Sequence, residues 1–122
     1  MDLKKKLYNK KIFITNDDGI NSKGIKVLKE ISKDIFSDIY TIAPEKNQSG
    51  KSHSITINKF IKVKKKNDRE FVVEGTPVDC VVVGLKNIFS PKIRPALLLS
   101  GINIGVNMGL DIYYSGTVSA AR

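Results

Sequence analysis

The chain has 122 residues, 41% of them hydrophobic, enough for the core of one domain at most. No apolar run approaches a membrane span and no apolar segment of signal-peptide length follows Met1, so a cytoplasmic protein without membrane association is expected. Cys80 is the only cysteine, which excludes an internal disulfide, and the net charge of +9 argues weakly for anionic ligands.

Residues 1–10 read as a polar lead-in. A short β-branched apolar run over 11–16 reads as a first buried strand, ending abruptly in Asp17, Asp18 and Gly19. Asn21 and Ser22 are helix-capping types, and Ile25, Val27, Leu28 and Ile31 form a helical stripe over about 22–34. Residues 38–43 read as a second buried strand, stopped by Pro44. Strand, helix and strand at this spacing make a right-handed βαβ unit, so the sheet core is parallel.

Pro44 to His53 is a loop of turn formers at the carboxyl end of the second strand. Residues 54–63 alternate, with Ile55, Ile57, Ile61 and Val63 expected inward. Asn67 and Asp68 form a turn and Glu70 to Glu74 returns, so a β-hairpin is expected, its lysines protecting an edge. Thr76, Pro77 and Asp79 have the order of a helix cap, a first helical residue and a capping-box acid. Val78, Val81, Val82 and Leu85 supply the expected buried face, and Cys80 reads as a small buried hydrophobe. After Ser90 and Pro91, residues 95–100 form a third buried strand that delivers Gly101 to Gly109 to the same rim. Tyr114 to Val118 begins a further helix, about one turn before Arg122. The domain therefore reads as incomplete at its C-terminus.

The basic residues cluster at Lys4, Lys5, Lys6, Lys10 and Lys11, and again at Lys59, Lys62, Lys64, Lys65, Lys66 and Arg69. Such runs form solvated faces. With aromatics at 7%, the interleaved stacking residues of a nucleic-acid surface are missing, and no specific polynucleotide binding is expected.

In an open α/β sheet, ligands bind outside the carboxyl ends of the strands. Asp17, Asp18, Ser49 and Asn103 all fall on loops at that end. All are hard oxygen donors, suited to Mg²⁺ or Mn²⁺, and two carboxylates balance about one dication. The plainer reading of the acids is a polar turn, with Asp18 capping the next helix. Gly101, Gly105 and Gly109 permit close backbone approach, and Asn107 offers a side-chain donor. Ser115, Gly116 and Thr117 open a helix, where free amides hold anions. Turn chemistry and helix capping explain each alone; their coincidence on one rim argues for a site.

Five blocks in order now carry a resemblance: Thr15-Asn16-Asp17-Asp18-Gly19-Ile20; Ala43-Pro44 with Ser49-Gly50 and Ser52-His53-Ser54; Gly75-Thr76-Pro77-Val78-Asp79-Cys80; Ser100-Gly101-Ile102-Asn103 with Gly105; and Tyr114-Ser115-Gly116-Thr117-Val118. The chain resembles the SurE family of stationary-phase survival proteins, metal-dependent 5'(3')-nucleotidases, over nearly its whole length from residue 11. The resemblance implies a Rossmann-like, three-layer α/β/α fold with a mainly parallel sheet plus a β-hairpin, here an N-terminal portion. It implies hydrolysis of nucleoside monophosphates to nucleoside and phosphate, with one Mn²⁺ or Mg²⁺ per subunit held by Asp17, Asp18, Ser49 and Asn103. Members of the family are longer and form dimers or tetramers.

The mechanism expected is in-line attack by water, with Asp17 or Asp18 orienting it or taking its proton. Asn107, Ser115, Gly116 and Thr117 would hold the phosphate. His53 either protonates the leaving alkoxide or braces the Ser49 loop. Three alternatives stand beside this. A covalent aspartyl phosphatase would separate its two acids by one residue, whereas these are adjacent. A non-catalytic receiver-like domain would need an aspartate where Ser100, Gly101 and Asn103 end the third strand. The last is a catalytically inactive fragment.

Overall fold

The computed structural model describes residues 2–48, 55–105, 108–109 and 115–122. Its strands are β1 (Lys11–Thr15), β2 (Asp38–Pro44), β3 (Val63–Asn67), β4 (Glu70–Val73) and β5 (Leu97–Ser100). They form one sheet in the order β3–β4–β2–β1–β5. Among the described residues only β3 runs antiparallel to its neighbour, through the expected hairpin with β4; the other pairings are parallel. The carboxyl ends of β1, β2, β4 and β5 therefore share one rim.

The helices are α1 (Leu3–Tyr8), α2 (Lys23–Lys33), α3 (Pro77–Val83) and α4 (Gly116–Ala121), with a π-helical turn at Gly84–Ile88 extending α3. The three-layer arrangement follows from the alternation of β1. Ile12 and Ile14 pack with Ile25 of α2 and with Phe36, while Phe13 faces the other way, onto Cys80, Val83 and Phe89. All three β1 residues are fully buried, as a central parallel strand requires. α4 packs on α3 and β5, so both lie on the face opposite α2.

Several expectations change. Residues 3–8 are helical rather than a plain lead-in, with Asp2 capping the helix by accepting from the Lys4 N–H. The buried positions of α2 are Ile25 and Ser32, with Leu28 partly buried, whereas Val27 and Ile31 are exposed. Seven residues are two turns, so Ile25 and Ser32 share a face that Val27 and Ile31 do not. The expected strand over 54–63 begins only at Val63, and Ile55, Ile57 and Val63 are exposed, while Ile61 packs on the core. β3 is an edge strand with no buried residue, so alternation there does not mark an inward face. On α3, Asp79, Cys80 and Val83 are buried, the expected Val81 and Leu85 are partly buried against the cluster that holds Cys80 and Val83, and Val78 and Val82 are not part of it. The capping box forms as expected: Thr76 and Asp79 exchange side-chain-to-backbone hydrogen bonds. β5 is partly exposed because it too lies at an edge.

Candidate functional site

The acidic turn is shaped by Asn16, which is fully buried at the end of β1. Its Nδ2 donates to the Gly19 carbonyl and to Ser22 Oγ, both at 2.8 Å, and its Oδ1 accepts from the Gly19 N–H at 3.2 Å. One carboxamide thus closes the turn and ties it to the N-cap of α2. Gly19 has φ +103°, where an L side chain would be strained, and its place against the Lys46 backbone leaves little room for one. The turn is also bonded to the loop after β2. Ile20 N–H donates to the Pro44 carbonyl at 2.8 Å, and Gln48 N–H to the Asp17 carbonyl at 2.6 Å.

Asp17 is 5% exposed, and its Oδ1 accepts a 2.7 Å bond from the Thr117 hydroxyl. That hydroxyl also faces Asn103 Oδ1 at 3.2 Å. Asp18 Oδ2 accepts from the Ile104 N–H at 3.0 Å. The loops after β1 and β5 and the first turn of α4 therefore meet. Asp17, Asp18 and Asn103 come together as the sequence suggested. Ser49, His53 and Asn107 lie outside the described residues. Ser115 caps α4, accepting from Val118 N–H at 3.2 Å, and Gly116 is the first residue of that helix.

Burial raises the Asp18 pKa above its ordinary value, the Ile104 N–H opposes this, and the negative charge of Asp17 adds to it. Two adjacent acids held this way are short of positive charge, which a cation would supply. The donor set passes a chemical test for such an ion. Asp17 and Asp18 offer carboxylate oxygens and Asn103 an amide oxygen, the ligands of a hard cation. Among the described residues the hydrogen bonds use one oxygen of each carboxylate, leaving the other available. Also among the described residues, no three His, Cys, Asp or Glu side chains gather in one place, so the two carboxylates and the Asn103 amide are the oxygen donors that meet here.

Cys80 is fully buried and burial pushes its thiol pKa up, so it takes no part as a nucleophile. Asp79 is also fully buried. Besides capping α3 it accepts from Thr56 N–H at 2.7 Å and from the Thr56 hydroxyl at 2.6 Å. An open groove of about 440 Å³ lies along the rim between the ends of β2 and β4, lined in part by Glu45, Gln48, Thr56 and Thr76. It adjoins the acidic turn at Gln48.

Sequence reasoning did not single out Asn16, Ile104 or Gly24. Asn16 had a local signal, a carboxamide three residues before a glycine, the spacing of a side-chain-closed turn. Ile104 acts through its backbone N–H, and Gly24 by leaving room for the Ile102 carbonyl, which would lie 2.0 Å from a Cβ there; no local pattern announces either partner.

A family model described as survival protein SurE matches residues 12–122. Over 111 residues the chain is 48% identical to the 5'-nucleotidase SurE of Paramagnetospirillum magneticum, covering 91% of this chain and 42% of that protein. It is 48% identical over 112 residues to the 5'-nucleotidase SurE of Wolbachia pipientis subsp. Culex pipiens, covering 90% and 43%. The crystal structure of the SurE protein from Aquifex aeolicus matches with a TM-score of 0.84 at 43% identity, covering 91% of this chain and 44% of that one. The chain thus spans less than half the length of these relatives.

Proposed function

The chain belongs to the survival protein SurE family, and from that premise we propose that it carries the phosphate-cleaving centre of a metal-dependent 5'-nucleotidase acting on nucleoside monophosphates. The observation that supports this most is the meeting of Asp17, Asp18 and Asn103, joined through Thr117 and Ile104 at the carboxyl rim. Asp17, Asp18 and Asn103, with Ser49, would hold one Mn²⁺ or Mg²⁺. When bound, such an ion supplies charge to a phosphate oxygen and lowers the pKa of a water.

The remaining work falls to the chain's own groups. Asp17 or Asp18 orients the attacking water or takes its proton. Asn107, Ser115 and Gly116 hold the other phosphate oxygens. His53 either protonates the leaving alkoxide or braces the Ser49 loop. The groove beside Gln48, at about 440 Å³, is within the range of small-ligand pockets and has room for the nucleoside.

Release of inorganic phosphate from a panel of nucleoside monophosphates, in Mn²⁺ and in EDTA, tests the proposal. The expected result is Mn²⁺-stimulated release that falls more than about a hundredfold in Asp17→Asn and in Asp18→Asn. Equal release in EDTA, or normal turnover by both variants, would contradict it.

A further inference from the structure

We propose that Thr117 is a positioning residue for the cation ligands rather than a phosphate donor: its hydroxyl ties Asp17 to Asn103 and so sets the spacing of two oxygens from different strands. The inference rests on the metal-dependent reading above. Thr117 is 100 residues from Asp17 in the chain, is 8% exposed, and reaches Asp17 Oδ1 at 2.7 Å and Asn103 Oδ1 at 3.2 Å. The orientation of the Asn103 amide is set independently, because its Nδ2 donates to the Gly105 carbonyl at 2.8 Å. Its oxygen is therefore the atom turned to the hydroxyl.

A hydroxyl has one proton. That of Thr117 goes to Asp17, in a charge-assisted bond, with Asn103 as the longer second acceptor. What remains on Thr117 Oγ1 are lone pairs, which repel the oxygens of a phosphate. Among the described residues the neighbouring Ser115 Oγ only accepts, in the cap of α4, so its own proton is left to donate to a phosphate oxygen. α4 packs against both α3 and β5, so the Thr117 backbone is anchored to the sheet that carries Asn103.

The test is Mn²⁺ binding to the chain in the absence of phosphate, followed by the loss of the free-Mn²⁺ spin-resonance signal. Thr117→Val keeps the shape and removes the hydroxyl, and should weaken Mn²⁺ binding by about tenfold or more. Thr117→Ser keeps the hydroxyl and should bind as the unsubstituted chain does. Thr117→Ala makes the same test should the valine disturb folding, which circular dichroism would show. Wild-type Mn²⁺ affinity in Thr117→Val or Thr117→Ala, with loss only of added inorganic phosphate, would overturn the inference while leaving the metal site intact. Absence of Mn²⁺ binding by the unsubstituted chain would instead overturn the metal-dependent reading, and this inference with it.

Discussion

Asn16 places both carboxylates, and its three hydrogen bonds are buried or nearly so. In Asn16→Asp the donor nitrogen becomes an oxygen facing the Gly19 carbonyl and Ser22 Oγ. The Gly19 carbonyl keeps its bond from the Ser22 N–H but loses the buried amide donor and faces a carboxylate oxygen instead, which should cost about 2–3 kcal/mol, measurable by urea unfolding. The partners of Asn16 lie three and six residues away, so this constellation was partly legible in the sequence. The bond between Thr117 and Asp17 crosses 100 residues, and no local pattern encodes it. Asp17, Asp18 and Asn103 were legible for a different reason. Each follows a recognisable apolar strand, and parallel strands bring their carboxyl ends to one rim.

The contact between α2 and the loop after β5 depends on Gly24. A Cβ at that position would lie 2.0 Å from the Ile102 carbonyl oxygen, and backbone, unlike a side chain, cannot swing aside. Gly24→Ala should therefore displace the segment that carries Asn103 and the Ile104 N–H, weakening Mn²⁺ binding as well as lowering the unfolding midpoint. An unchanged Mn²⁺ affinity in a folded Gly24→Ala protein would show that the loop position is not set by this contact. At this scale the sequence was most informative where capping chemistry or a buried run defined an element, as in β1 and the Thr76–Asp79 box. It was least informative at the edges. β3 and β5 lack neighbours on one side among the described residues, so their residue patterns do not report inward faces. α1 was missed because its lysine-rich sequence has too few apolar positions to show a period.

Among the described residues the two edges of the sheet differ. The β3 edge carries Lys64, Lys65 and Lys66, of which Lys64 pairs with Glu45 and Lys65 with Asp68. The β5 edge presents Leu97, 44% exposed, with no such charges in the strand. Open apolar edges pair with other chains. The chain should associate in a concentration-dependent way, and Leu97→Lys should reduce that association in light scattering. Far from the candidate site, Asp38 ties the starts of β1 and β2 to the hairpin. Burial works against its charge, but the hydrogen bond and charge of Lys11 and the charge and 2.7 Å bond of Arg69 prevail and lower its pKa. A carboxylate with a lowered folded pKa stabilises the fold above its unfolded value, near 3.8, and the contribution disappears as pH falls through the folded one. Asp38→Asn should therefore lower stability at pH 7 and make no difference in strong acid, as read from unfolding midpoints across pH.

Anomalous diffraction from crystals soaked in Mn²⁺ tests most directly whether the loops after β1 and β5 share one cation. A single peak within bonding distance of Asp17, Asp18 and Asn103 oxygens, lost in Asp17→Asn, is the result expected. No peak there in crystals that take up Mn²⁺ elsewhere would contradict it.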